Sequence, residues 1–133
     1  MTGGEQGTAG GHLRVASAEA RAALRRAKAR LDLLELYEQP VRVARVRIVA
    51  PGWLFRLPWF RRFDGYAMWN LILLRSADLI TDDELICHEL CHVWQMQHRP
   101  LRMPLSYLRS GYARNPYEEE ARRASASSAP PRS

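Results

Sequence analysis

Leu24, Ala27, Leu31 and Leu34 recur at intervals of three and four with charged residues between them, the period of an amphipathic helix. Ser17 suits its N-cap and Glu19 its first turn, and Pro40 forbids its continuation. From Val41 to Val49 the period falls to two: Ala44, Val46 and Ile48 share one face of a strand, and Arg45 and Arg47 take the other. Pro51-Gly52 ends that strand, and a segment of aromatic and basic residues follows, with Trp53, Phe55, Trp59, Phe60, Arg61, Arg62 and Phe63. After the turn signal Asp64-Gly65, the apolar run from Ala67 to Leu74 predicts a second, well-buried strand. Thr81 and Asp82 can cap a helix running from about Asp83 to about Gln97. Pro100 and Pro104 interrupt the segment after it, a short helix passes through Tyr107 and Leu108, and Asn115-Pro116 opens a last helix that fades into Ser125 to Ser133.

These elements predict an α+β fold: a small mixed sheet with an N-terminal helix, a central helix and a C-terminal helix. At 133 residues the chain holds one core, with 17–126 as a single domain between flexible tails at 1–16 and 127–133. The 47% hydrophobic and 26% charged composition excludes wholesale disorder. Twenty basic against fourteen acidic residues give +6, and Lys28 is the only lysine. The arginines are spread over every predicted element without a nucleic-acid motif, so the charge reads as arginine on solvent faces. Two cysteines four apart, Cys87 and Cys91, make no disulfide framework and point to the apolar side of their helix as buried small residues. With no apolar stretch long enough for a membrane span and no secretory signal pattern, the cytoplasm is the expected compartment.

The informative stretch is His88-Glu89-Leu90-Cys91-His92, an HExxH pattern. Two histidines four apart on a helix point within about 40° of each other and lie roughly 6 Å apart along the axis, so their nitrogens converge on one ion. Glu89 lies about 100° round from His88, beside the metal, where a carboxylate takes a proton from a zinc-bound water. From this chain's own composition the bare pattern arises by chance in about one sequence in a hundred of this length. Its setting adds weight: Ile86, Cys87, Leu90, Cys91, Val93 and Trp94 gather opposite the histidines.

A catalytic zinc needs a third protein ligand and a position left for water. His98 lies ten residues after His88, the metzincin spacing, and HELCH followed by that histidine also resembles SprT-like zinc peptidases. An unbroken helix would swing residue 98 off the His88/His92 face, and Gln95 stands where metzincins use glycine to break the helix. The segment Asn115-Pro116-Tyr117-Glu118-Glu119-Glu120-Ala121 resembles the second metal-binding helix of gluzincins, in which a Glu ligand is followed at the third position by a small residue. That resemblance implies Glu118 as ligand, with Ala121 as the small residue; Glu120 is a further candidate. Many gluzincins orient a histidine with an Asp one turn later, where this chain has Arg122. Asn115 to Glu118 is also a capping-box spacing.

The chain is thus similar, from the strand at Ala67 to the helix at Glu118, to the small-scaffold gluzincins called minigluzincins. The resemblance implies a zinc-dependent metallopeptidase acting on a peptide or protein, with metal ligands His88, His92 and Glu118 and Glu89 as base. An extended substrate would add along an exposed sheet edge, for which Ala67 to Leu74 is the favoured strand. Two other readings compete: a non-catalytic zinc-stabilised binding module, and a SprT-like peptidase acting on nucleic-acid-bound proteins. Tyr107, Tyr112 and Tyr117 include candidate donors to a developing oxyanion, although such tyrosines more often pack. The Trp53–Phe63 segment is expected chiefly to close the core, with Arg61-Arg62 a solvated pair.

Overall fold

The structure is a computed structural model that describes residues 17–100, 102–111 and 115–128; the predicted tail at 1–16, most of that at 127–133, and Tyr112 lie outside the described residues. Helix α1 (Ser17–Asp32) buries the stripe Ala20, Ala23, Leu24, Ala27 and Leu31. It stops well short of Pro40. The amides of Leu33 and Leu34 bond back three residues to the carbonyls of Arg30 and Leu31, which tightens the last turn and ends the helix. The chain then folds back over the core, where Trp94 Nε1 donates to Gln39 O at 2.8 Å and Tyr37 packs edge-on against the Trp94 ring.

The predicted strand over 41–49 shortens to β1 (Arg47–Val49), and Ala44 is exposed in a turn. Side chains occupy the backbone groups that a longer strand would have paired. Arg21 donates to the carbonyls of Val43 and Val46, and the Gln97 amide bonds both the N–H and the carbonyl of Arg42. Val46, Ile48 and Ala50 keep the inward alternation.

The apolar run Ala67 to Leu74 is not one strand but the arms of a hairpin, β2 (Gly65–Met68) and β3 (Leu71–Leu74). Trp69 and Asn70 make the turn, and Trp69 takes a positive φ of 52° where glycine is usual, so Asn70 is the one turn-favouring residue that marks it. Trp69 is held there by the end of the central helix, its Nε1 donating to Pro100 O at 3.0 Å and its backbone N–H meeting Met96 Sδ at 3.2 Å. The sheet order is β1-β3-β2, with β1 parallel and β2 antiparallel to β3. Leu71–Leu74 is therefore central and Gly65–Met68 is an edge.

Helix α2 (Asp83–His98) is the hub of this mixed α+β fold. It packs against α1, against β2 and against α4 (Pro116–Ser127), while α3 (Arg102–Ser110) crosses its C-terminal end. Leu24, Leu31, Ile72, Leu74, Ile86, Leu90 and Trp94 are almost wholly withdrawn from solvent. Each such side chain stabilises the fold by about 1.5–3 kcal/mol, against about 0–1 kcal/mol for an exposed ion pair such as Arg26–Asp83, so apolar packing fixes the α1–α2 contact. Both cysteines lie in this core, and burial pushes their thiol pKa values up.

Two expectations are corrected in part. In the aromatic segment, Phe55 and Phe63 pack with Leu73 in a small second cluster, but Trp53 and Trp59 remain more than half exposed. The arginines are not all solvent-facing: Arg30 reaches Ser125 O at 2.6 Å, and Arg75 holds the carbonyls of Arg61 and Phe63. Among the described residues, no helix is long and apolar enough to cross a membrane.

Candidate metal centre

Asp82 begins α2 by accepting a hydrogen bond from Leu85 N at 3.0 Å, with Asp83 and Glu84 in the first turn. Asn115 begins α4 in the same way, accepting from Tyr117 N at 2.7 Å and Glu118 N at 3.3 Å, with Pro116 at the first helical positions. These caps set the phase of the two helices. Ala121, with no exposed surface, lies at their contact, and one turn earlier Glu118 turns its carboxylate toward α2.

There the His88 and His92 rings lie 4.8 Å apart at 84° to one another. His88 Nε2 donates to Glu118 Oε2 at 2.9 Å, and His92 Nε2 donates to Glu118 Oε1 at 2.8 Å. One ligand atom from each residue lies within 4.8 Å of the others. A tetrahedral site with bonds near 2.1 Å sets its donors about 3.4 Å apart, so small side-chain shifts would let these three residues close on one ion. Two imidazoles and a carboxylate form a donor set that suits such an ion, and the structure brings them together from helices 30 residues apart in sequence.

Electrostatics tie the three together. Burial alone would raise the Glu118 pKa, but hydrogen bonds from His88 and His92, with their positive charge, outweigh it and hold the carboxyl well below the usual range. For His92 burial works against charging, yet the Glu118 hydrogen bond and the charges of Glu89 and Glu118 prevail and raise the pKa. Arg122, which stands where an Asp was expected from the gluzincin pattern, approaches Glu118 Oε2 at 3.5 Å and adds positive charge there.

Neither alternative ligand joins the group. His98 stacks on Tyr37 with ring centres 4.5 Å apart and donates from Nδ1 to Trp94 O at 3.1 Å. Glu120 accepts from Tyr37 Oη at 2.8 Å and from Gln95 Nε2 at 2.9 Å. Tyr107 Oη donates to Glu118 Oε1 at 3.4 Å and so stands at the site, whereas Tyr117 contributes its carbonyl to Gln95.

Glu89 is buried, and that burial pushes its pKa above the ordinary carboxylate value, against the lowering influence of His92 and His88. It borders two cavities. One, of about 420 Å³, is mainly apolar and is walled by Trp59, Ala67, Met96, Met103, Pro104 and Tyr107, with His92 at its base. The other, of about 630 Å³, is open and charged, with His88, Asp64, Asp82, Glu84 and Arg122 around it. Arg62 and Gly65 also line both, so the two cavities adjoin at Glu89. Arg62 is not merely a solvated charge: its guanidinium lies 4.9 Å from the centre of the Trp59 ring and 5.0 Å from that of Phe63.

Sequence reasoning missed Gln95 as a partner of His92 and Met96 and Met103 as cavity walls. Gln95 was detectable as a polar residue three positions after His92, one helical turn on and on the same side. Comparison with protein families, with curated proteins and with solved structures finds no match to this chain.

Proposed function

We propose that the chain is a zinc-dependent peptidase on a minimal zincin-like scaffold, with a site of the gluzincin type. The observation that carries this reading is the company kept by Glu89: a buried carboxylate of raised pKa bordering two cavities, beside two imidazoles and a second carboxylate that converge. A purely structural ion site needs no such buried carboxylate and no cavities beside it.

His88 Nε2, His92 Nε2 and a Glu118 oxygen would hold the metal. Zinc, when bound, supplies a Lewis acid that polarises a carbonyl and makes water more acidic. Glu89 takes a proton from the attacking water and passes it to the leaving amine, a role for which a carboxylate of raised pKa is well matched. Tyr107 Oη, at the wall of the apolar cavity and within reach of Glu118, is positioned to donate to the oxyanion that develops. The outer edge of β2, which begins at Gly65 against Glu89, offers backbone groups to an extended peptide. The apolar cavity takes a bulky apolar side chain next to the bond cut, and the charged cavity takes a polar one.

The test is peptide cleavage by purified protein beside its Glu89→Gln variant. Cleavage that needs zinc and disappears in a variant that keeps its zinc supports the reading. Cleavage that survives the substitution refutes the assigned base.

A further inference from the structure

The Gln95 side chain has no solvent exposure, and each of its polar atoms is spoken for. Nε2 lies 2.8 Å from Tyr117 O and 2.9 Å from Glu120 Oε1. Oε1 lies 2.8 Å from His92 Nδ1. A backbone carbonyl accepts and cannot donate, so the end of the amide facing Tyr117 must be the NH₂ group. The oxygen therefore faces His92, and Nδ1 of that ring must carry the proton. With Nδ1 engaged as a donor, Nε2 is the nitrogen that can offer a lone pair to an ion once it gives up the proton it donates to Glu118.

We infer that Gln95 is a positioning residue for His92, itself locked by Glu120 and Tyr37, and that this chain of hydrogen bonds sets the affinity of the site for zinc. The inference rests on the metal-centre reading above. It gives Glu120 a place one layer out from the ion, where its Oε1 accepts from both Gln95 Nε2 and Tyr37 Oη. Tyr37 is kept a phenol, because burial and then the Glu120 hydrogen bond push its pKa well above normal, so it remains a donor. The chain crosses three parts of the fold, from the segment after α1, through α4, to α2. It thus couples the orientation of His92 to the docking of both neighbours. Partners of this kind typically change metal affinity by about 10–100-fold when removed.

The experiment compares zinc affinity, by competition with a chromophoric chelator, for the wild type, Gln95→Leu, Glu120→Leu and Glu120→Gln. An amide oxygen at 120 still accepts from both Gln95 Nε2 and Tyr37 Oη, whereas Leu at 120 accepts from neither. Proton–nitrogen NMR of the His92 side chain accompanies it. The expected results are a solvent-protected Nδ1–H in the wild type with or without zinc, its loss in Gln95→Leu with an affinity at least about tenfold weaker, a smaller weakening in Glu120→Leu, and wild-type affinity with a protected Nδ1–H in Glu120→Gln. Equal affinity in wild type and Gln95→Leu or in wild type and Glu120→Leu, or a Glu120→Gln variant that folds but binds as weakly as Gln95→Leu, overturns the inference and leaves the metal centre standing. A wild type that shows the protected proton but binds no zinc overturns the metal centre and, with it, the role in affinity.

Discussion

Gly65 and Glu89 lie so close that a Cβ on Gly65 would stand 3.1 Å from Glu89 Oε2 and 3.2 Å from its Cγ. The first residue of the edge strand is thus glycine where the strand meets Glu89, the proposed base. Leu85 Cδ1, also 3.2 Å away, limits any retreat of a new side chain in that direction. Gly65→Ala is expected to push the Glu89 carboxylate by a few tenths of an ångström and to lower turnover by about tenfold, because proton transfer is sensitive to such displacements. Zinc content should not change. Steady-state kinetics alongside metal analysis checks both, and an unaltered turnover would mean that the position of Glu89 is not limiting.

Glu118 is the only one of the three candidate ligands that comes from outside α2. Its replacement by Ala should weaken zinc binding more than about a hundredfold, since two histidines alone rarely retain the ion in competition with water. The same change to Glu120, a residue equally acidic and two positions on, should cost far less because its contacts are Gln95 and Tyr37. Chelator competition on the two variants separates them. Equal losses would place the ligand wrongly.

The pH dependence of the metal-free protein comes from the same contacts. Glu118 titrates below its ordinary value of 4.5, so its contribution to stability is complete above about pH 4.5 and is lost as the pH falls further. His92 and Glu89 titrate above their ordinary values of 6.5 and 4.5, so the fold holds their protons more tightly than the unfolded chain does. Their contributions are fully present at low pH and are lost as the pH rises through the folded-state pKa values. Metal-free protein should therefore be most stable at about pH 5 and melt at lower temperature by about pH 8. Zinc replaces the protons, and zinc-loaded protein should show the opposite trend over that interval. Thermal melts at several pH values, with and without zinc, read this directly; parallel curves would contradict the ion-pair account.

On the proposed peptidase reading, the apolar cavity should set a preference in the substrate. Met96 and Met103, both nearly inaccessible to solvent, form part of its wall, and thioether side chains adapt to varied apolar groups. Peptides with Leu or Phe beside the bond cut should be cleaved at least about tenfold faster than those with Gly there, in line with the worth of a few methylenes in an apolar pocket. Mass-spectrometric profiling of a peptide mixture checks this. A preference for acidic residues on both sides would assign the cavities wrongly.

How far the chain discloses itself before folding depends on the range of the interaction concerned. His88 and His92 were legible because a helix alone brings positions four apart together. The caps Asp82 and Asn115 were legible for the same local reason, and Glu118 entered through the pattern around it. The Gln95–Glu120 contact spans 25 residues and Tyr37–Glu120 spans 83, and no local period encodes either. The hairpin was hidden because Trp69, held by Pro100 and Met96, takes the positive φ that a glycine would ordinarily mark, which leaves Asn70 as the turn's one local signal inside an apolar run. The shortened β1 was hidden because Arg21 and Gln97, both remote in sequence, supply the hydrogen bonds that a neighbouring strand would otherwise give.

A crystal structure of the zinc-loaded protein, with anomalous scattering measured at the zinc edge, tests the central claim most directly. The account predicts one ion bound by His88 Nε2, His92 Nε2 and a Glu118 oxygen at about 2.0–2.2 Å, with Glu89 beside it and not bound to it, and with His92 Nδ1 still donating to Gln95. An ion held by His98 or Glu120, an ion ligated by Glu89, or no zinc at the three residues would contradict it.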